Sequence, residues 1–251
     1  MTLIIPLPFQ SKTIPIEPLN QNAFSQFGTV ISNPSPSLTP HPHLQELPPQ
    51  AVLANQGSAL KYLDITHMRN FYNESTTPGK AVMNMFVCAP RSLLSTPDSN
   101  GSMAGHFKVE ILERHPFTTQ TFIPLGLSSK DSQQCQYLVI VAPSLKPSEQ
   151  DESLPVPTPT TANLENERYP GRGLPDLNGI KAFLADGSQA VTYGAGTWHA
   201  PMVVIGEKPI DFVVVQFANG VGIEDCQEVE WKEKNDDGGL LVAIPQTKAK
   251  L

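Results

Sequence analysis

Charged side chains are scarce in this 251-residue sequence, since Asp, Glu, Lys and Arg together make up 16% of it. The 24 acidic and 17 basic residues give a net charge of −7, the opposite of what binding to a phosphate backbone favours. No apolar run approaches the roughly 18 residues that a membrane helix requires. We therefore expect neither nucleic acid nor a membrane as a partner.

Cysteine is also sparse. Cys88, Cys135 and Cys226 are far apart, odd in number and without C-x-x-C spacing, which excludes a disulfide framework and a zinc finger. The apolar start lacks a basic region and is broken by Pro6 and Pro8, so it does not resemble a signal peptide. These features favour a soluble protein of a reducing compartment.

Proline, by contrast, is abundant, with 25 residues, about twice the ordinary usage. This excludes a long helical bundle. The prolines concentrate in residues 33–57 and 143–175, and one more follows in the Ser- and Gly-rich stretch 92–105. We predict that these three stretches are surface insertions or disordered loops in a single domain spanning residues 1–251.

The rest of the chain consists of short segments that are mostly typical of β-strands. Strands are predicted at residues 107–111, where apolar and charged residues alternate, and at 137–141, 200–205 and 211–217. One short helix is predicted at residues 20–27, capped by Asn20 and stopped by Gly28, and a helical turn at Asp176. Many short strands and few helices indicate an all-β sandwich or barrel.

Polar residues follow the predicted strand 107–111. If the apolar residues of that strand point into the core, Glu113 and His115 have the same parity and point inward, and Arg114 points outward. Burying a carboxylate and an imidazole costs several kcal/mol unless they are paired or meet a ligand, which indicates a cavity. The alternative is that Glu113 and Arg114 are solvated and that His115 caps a turn before Pro116.

A second informative stretch runs from Tyr193 to Pro201. Gly194 and Gly196 permit a tight turn just before His199 and the following strand. No third glycine and no helix follow, so a dinucleotide-binding loop is not indicated. The interpretation that we favour is a turn that delivers His199 to the mouth of a barrel.

The spacing of these residues resembles the two cupin motifs: Glu113, His115, Gln120 and Gly126, then Gly196 and His199. Cupins have H-x-H and an acid in the first motif and a histidine in the second, so two of the four ligand positions are altered here. The resemblance implies a small double-stranded β-helix or jelly-roll barrel with the site inside. A divalent metal bound by Glu113, His115, Gln120 and His199 is left open, because Gln120 is a poor ligand.

The amino-acid sequence of several longer segments is similar to sequences of the ureidoglycolate lyase family of allantoin degradation. The segments are residues 20–31, 61–64, 112–124, 175–183, 193–202 and 211–212, which together cover most of the chain outside the Pro-rich stretches. The resemblance implies that urea is eliminated from ureidoglycolate to give glyoxylate. Such a reaction needs a base for the C2 hydroxyl proton, an acid for the departing nitrogen and a cation for the carboxylate.

The same resemblance implies roles for residues. His115 and His199 are expected to handle protons or bind a metal, Gln120 to donate to a urea or carboxylate oxygen, and Glu113 to orient a histidine. Tyr193 offers a hydroxyl or merely packs. For the carboxylate, the basic candidates are Lys61, which is preferred, and also Arg91, Arg114 and Lys181. Asp211 is expected to be structural. Which histidine is the acid, and which enantiomer is used, stay open.

Two other functions compete with the lyase: a metal-dependent cupin oxygenase or isomerase acting on another small hydroxy acid, and a non-enzymatic cupin that binds a small ligand. The family resemblance also suggests a homodimer. Finally, the terminal residues Ala249, Lys250 and Leu251 resemble the S-K-L address read by the peroxisomal import receptor. We therefore expect a peroxisomal location, with the cytoplasm as the alternative.

Overall fold

The computed structural model describes residues 2–97, 103–127, 131, 135–158, 169–232 and 239–244. Strands dominate these residues. The α-helices in them are single turns, α1 (Gln21–Phe24) and α2 (Gly222–Asp225), and short 3₁₀ turns occupy Asn55–Gly57, Tyr72–Glu74 and Glu149–Asp151. No helix in this part of the chain is long and apolar enough to cross a membrane. The prediction of an all-β, cupin-like fold with few short helices is confirmed.

The strands among the described residues form three main sheets and a hairpin. The eight-stranded central sheet runs β1 (Thr2–Pro6), β18 (Gln227–Lys232), β10 (Ile111–Arg114), β15 (Trp198–His199), β12 (Gln136–Ala142), β13 (Lys181–Asp186) and β3 (Ile16–Pro18), with β16 (Val203–Ile205) also paired to β12. The five-stranded front sheet runs β4 (Gly28–Ile31), β14 (Ala190–Tyr193), β11 (Gln120–Leu125), β17 (Ile210–Ala218) and β7 (Lys80–Cys88). The four-stranded back sheet runs β2 (Ser11–Ile14), β19 (Gly239–Ile244), β9 (Met103–Val109) and β8 (Leu94–Pro97), and β5 (Ala51–Ala54) and β6 (Ala59–Tyr62) form the hairpin.

The central sheet is covered on both faces. On β12, Val139 and Val141 pack into a front cluster with the front sheet, whereas Leu138 and Ile140 pack into a back cluster with the back sheet. This burial on both sides explains why residues 137–141 read as a continuous apolar run rather than an alternating one. The front and central sheets together enclose the barrel interior. The amino-terminal strands β1 and β2 pair in parallel with the carboxy-terminal strands β18 and β19.

The predicted helix at residues 20–27 is present but shorter. Asn20 caps it as expected, because its Oδ1 accepts from the Ala23 amide at 3.0 Å, but α1 ends at Phe24. Phe24 and Phe27 are both buried in the front cluster. The helical turn predicted at Asp176 is wrong: the chain makes a non-helical turn there, in which the Asp176 carboxylate accepts from the Asn178 amide.

Two strand predictions need correction. The strand predicted at residues 107–111 is interrupted at Glu110, where β9 of the back sheet gives way to β10 of the central sheet. The parity of the chain shifts there, so Leu112 joins Phe107 in the back cluster. The strand predicted at 200–205 is shorter and begins only at Val203.

Arg114 lies on this buried back face as well and is fully inaccessible to solvent, so its predicted outward position is wrong. Its Nε donates to Gln227 Oε1 at 2.8 Å, and its guanidinium donates to the backbone carbonyls of residues 171–173. The physical reason is that the central sheet has no solvent-facing side at this strand.

The Pro-rich stretches differ in how far they pack. Residues 33–50 have no helix or strand before β5, whereas 92–105 includes β8 and the start of β9. In 143–175, Leu154 and Leu174 are buried in the back cluster, so the chain is packed rather than loose at these points. Residues 98–102 and 159–168 of these stretches lie outside the described part.

Candidate functional site

Polar side chains gather at one end of the barrel, between the central and front sheets. On the central sheet, Glu113 pairs directly with His199 on one side and with Glu228 on the other. On the front sheet, Gln120 pairs with Tyr193 on β14 and, by the register of β11 with β17, faces Gln216. The two rows meet where the His199 ring approaches Tyr193 and Gln120.

His115 follows β10 and is buried at this end. Its Nδ1 lies 2.6 Å from the backbone carbonyl oxygen of Asp225. Because a carbonyl only accepts, Nδ1 carries the proton, and Nε2 of the neutral ring is a bare lone pair. That Nε2 is buried without a hydrogen-bond partner among the described residues. Burial, and then the charge of His199, lowers the pKa of His115, which favours this neutral form.

His199 has the opposite surroundings. Its Nδ1 lies 2.9 Å from the Thr197 carbonyl oxygen, so this nitrogen also donates. Its Nε2 lies 3.5 Å from Glu113 Oε1 and 3.2 Å from Gln120 Oε1, both acceptors. The Tyr193 ring stacks on the imidazole with centroids 4.0 Å apart. Both ring nitrogens of His199 therefore face hydrogen-bond acceptors.

Glu113 links the two histidines to the opening of the site. Burial opposes its charge, but hydrogen bonding and the charge of His199, with a contribution from His115, hold the pKa of Glu113 below its usual value. Its second carboxylate oxygen accepts from Cys226 Sγ at 3.9 Å, and burial followed by the charge of Glu113 raises the pKa of Cys226 to about 12. Cys226 is therefore a neutral thiol, not a nucleophile.

A hydrogen-bond network behind the site fixes the carbonyl that orients His115. The buried Tyr72 donates its hydroxyl to Asp225 Oδ1 at 2.7 Å, and the amides of Asn219 and Gly220 donate to the same carboxylate. Burial and this carboxylate raise the pKa of Tyr72, which stays protonated. These bonds hold α2 in place and, through it, the ring of His115.

Gly196 supports the site through its backbone, as the predicted turn before His199 requires. Its φ is +72°, and its amide donates to the His115 carbonyl at 2.9 Å. A Cβ added at this position would lie 2.2 Å from Pro170 Cβ. Glycine is needed here for both its backbone conformation and the close approach of Pro170.

Not all the predicted residues come together. The structure places Glu113, His115, Gln120, Tyr193 and His199 at one point, but not the four basic candidates. Lys61 is exposed on β6 of the hairpin, and Lys181 lies on β13, with β12 between it and the strand of His199. The Arg91 guanidinium is 5.4 Å from the ring of Phe107 in the back cluster, and Arg114 faces the same side. Asp211 is exposed on β17.

Sequence reasoning missed Gln216, Asp225 and Cys226. Gln216 had a signal, because it is a polar residue that continues the buried parity of Phe212 and Val214 along β17. Its Oε1 accepts from Gln120 Nε2 at 2.7 Å. Asp225 acts through its backbone carbonyl, for which a sequence carries no signal.

The donor set fits a divalent metal ion. Atoms of Glu113, His115 and His199 that could ligate lie within 4.8 Å of one another. Both imidazoles turn Nε2 inward and fasten Nδ1 to a backbone carbonyl, which is the usual way in which ligating histidines are held. The unpartnered His115 Nε2 is a further observation in favour of a ligand at this point.

Comparison with known proteins agrees with the geometry. Residues 11–236, which include every residue of the site, match the sequence model of the ureidoglycolate lyase family. The chain belongs to the ureidoglycolate lyase family. A ureidoglycolate lyase of Schizosaccharomyces pombe is 34% identical over 220 residues, 87% of this chain and 91% of that protein.

Two further members of the ureidoglycolate lyase family show how far the match extends. The one from Saccharomyces cerevisiae is 34% identical over 237 residues, covering 92% of this chain and 99% of its own length. One from Burkholderia mallei is 28% identical over 204 residues, 81% of this chain and 82% of that protein. The family resemblance inferred from these segments of the amino-acid sequence is thereby confirmed.

Proposed function

We propose that this protein is a ureidoglycolate lyase, which converts ureidoglycolate to glyoxylate and urea. Membership of the family supports the activity, and so does the name ureidoglycolate lyase carried by relatives at 28–34% identity over most of the chain. The observation that carries the chemistry is the pair of buried histidines with differently arranged Nε2 atoms, one bare and one facing acceptors.

The two histidines divide the proton transfers. The bare Nε2 of His115 accepts the proton of the C2 hydroxyl, and the O–H electrons form the carbonyl of glyoxylate. The C2–N bond breaks as His199 donates its Nε2 proton to the departing nitrogen, so urea leaves as a neutral molecule. One proton moves from oxygen to nitrogen overall, which balances the reaction without an oxidant or a reductant.

The neighbouring side chains prepare the acid. Glu113 Oε1 lies 3.5 Å from His199 Nε2, and stacked Tyr193 fixes the plane of the ring. Gln120 is itself held by Gln216, so its amide is oriented before a substrate arrives. A divalent ion held by Glu113, His115 and His199 would occupy the same two Nε2 atoms, so when bound it would supply Lewis-acid stabilisation of negative charge on oxygen in place of these proton transfers.

The activity is tested with purified protein and racemic ureidoglycolate. Glyoxylate and urea should appear in equal amounts, and half of the racemate should remain if one enantiomer is preferred. Ammonia in place of urea, or no turnover with or without added divalent metal, would overturn the proposal. The metal requirement is read from the same assay after treatment with a chelator.

We also propose that the protein is a homodimer that packs through the outer face of the front sheet. The exposed apolar side chains there are Met83, Met85 and Val87 of β7 and Ile123 and Leu125 of β11. They surround the half-buried side chains of Val213 and Val215 on β17. Asp211 is the charged residue on this same face of β17. Their exposed area is on the order of 500 Å², the size of the largest patches on ordinary monomers.

A second copy is the occupant that suits this face, because two self-complementary apolar patches related by a twofold axis bury each other. A stable interface buries about 800 Å² on each partner, and Ile65, which is 49% exposed and lines a groove with Ile123, extends the patch towards that size.

Light scattering after size exclusion should give twice the chain mass of 27.3 kDa. Met85→Glu should halve it, because the twofold axis brings two like charges together in an apolar interface. Ile4→Glu, which adds the same charge at a residue 58% exposed on β1, should leave the mass unchanged. A monomeric wild type, or a dimeric Met85→Glu variant, would contradict the dimer.

We further propose import into peroxisomes through Ala249, Lys250 and Leu251, which lie outside the described residues; the proposal is supported by their sequence alone. A fluorescent reporter that ends in residues 242–251 should appear in peroxisomal puncta, and removal of Leu251 should make it diffuse. A diffuse signal with the intact ending would refute import and leave the cytoplasm as the location.

A further inference from the structure

The inner face of β7 is the open side of the barrel. Phe86 contacts the buried ring of Phe122 at 5.7 Å, and Cys88 packs on the front cluster, so residues of this parity face the interior. Lys80 has the same parity and begins β7 at the end where the histidines lie. Its side chain therefore projects from the inner face of the sheet, yet it is exposed, because among the described strands β7 is the edge of the front sheet.

The strand register places Lys80 beside the polar row. Gln216 pairs with Val82, and Ala218 pairs with Lys80, so Lys80 is the diagonal neighbour of Gln216 across β17 and β7. Diagonal neighbours in an antiparallel pair are about 7–8 Å apart between Cα atoms, within reach of a long side chain. Gln216 in turn holds Gln120, which touches His199.

The charges around the opening leave this ammonium available. Glu113 lies 3.5 Å from His199 Nε2, and the carboxylates of Glu224 and Asp225 already accept from Ser75, Asn219 and Tyr72. Lys80 makes no ion pair with a residue that the structure describes. An unpaired lysine at the rim of a site for small molecules is suited to an anion.

We propose that Lys80 binds the carboxylate of the substrate at the β7 edge of the site. This proposal rests on the proposed function, because ureidoglycolate carries a carboxylate beside the carbon that reacts. With the carboxylate held at Lys80 on the rim, the reacting carbon would point inward, towards the side on which Gln216, Gln120 and His199 lie. The basic residues first considered for this role lie elsewhere, on the hairpin, on β13 or against the back cluster.

Steady-state kinetics give the first test. Lys80→Met should raise KM for ureidoglycolate roughly ten- to a hundredfold, the worth of one charge-assisted hydrogen bond, with a smaller change in kcat. Lys80→Arg should restore most of the affinity. The control is Lys208→Met, because Lys208 is exposed just before the opposite end of β17. An unchanged KM in a folded Lys80→Met variant overturns the proposal.

Binding of non-reacting probes separates this proposal from the activity itself. Glycolate and its neutral amide, glycolamide, differ only in the carboxylate charge, and titration followed by NMR needs no turnover. Lys80→Met should weaken glycolate at least tenfold and glycolamide less than twofold. Equal weakening of both, or of neither, overturns the role of Lys80. If the wild type selects glycolate through Lys80 but does not cleave ureidoglycolate, the lyase proposal fails and the carboxylate site stands.

Discussion

Replacement of His115 or of His199 with alanine is expected to lower kcat by a factor of about 100 or more while the fold is retained. Each substitution removes one positioned proton-transfer group, and such groups typically contribute 10²–10⁴-fold. His41→Ala is the matched control, because His41 is exposed in the stretch before β5. Turnover of ureidoglycolate and a thermal melt of each variant measure the effect.

The roles of the two histidines are separable with a better leaving group. An N-aryl ureidoglycolate expels a more stable anion and needs less protonation as the C2–N bond breaks. The loss caused by His199→Ala should therefore shrink with this substrate, whereas the loss caused by His115→Ala should persist. The reverse pattern would exchange the acid and the base. Near wild-type turnover in a variant with a normal melt would show that its histidine is structural.

Replacement of Arg114 with methionine is expected to lower the free energy of unfolding by about 3–5 kcal/mol. Methionine keeps much of the volume but leaves Gln227 Oε1 and the carbonyls of Gly171 and Arg172 without their donor, whereas the Gly173 carbonyl keeps its bond from Trp198 Nε1. It also removes the contact of the guanidinium with the Trp198 ring, 4.5 Å away. Urea unfolding followed by tryptophan fluorescence measures the change.

Lys146→Met provides the comparison for Arg114→Met, since Lys146 is an exposed base of the same Pro-rich stretch. Its effect should stay within about 0.5 kcal/mol. A similarly small effect for Arg114→Met would mean that water replaces the lost donors. Burial lowers the pKa of Arg114 to about 10, so the guanidinium is charged throughout the neutral range and pH 7 is suitable for the measurement.

The parts of the fold that follow from local pattern were predictable. The Asn20 cap, the β-rich character and the strand 137–141 depend on neighbours in sequence, and all are present. Which side chains of a strand are buried depends on the layers that pack on each face of its sheet. Arg114 was misplaced because β10 is sandwiched between two sheets, and no residue near it reveals the second one.

The site shows the same division. Glu113 and His115 were found because polar residues stand out at the end of an apolar strand, and His199 because a glycine turn precedes it. Gln120 was found through the resemblance to the cupin motifs, and the structure brings all four together. The proton arrangement was not predictable, because it is set by the carbonyls of Asp225 and Thr197. Backbone atoms are common to all residue types, so only the fold shows which ones face an imidazole.

The parallel pairing of the chain's two ends governs when the protein can finish folding. Thr2 Oγ1 donates a hydrogen bond to Glu228 Oε2, 226 positions away in the sequence, and β2 can pair only after β19 has been made. During synthesis β1 and β2 stay open edges until the segments of β18 and β19, more than 200 residues further along the sequence, have been made. Closing so long a loop is slow, so we expect the central and back sheets to be completed later than local pairings such as that of β5 with β6.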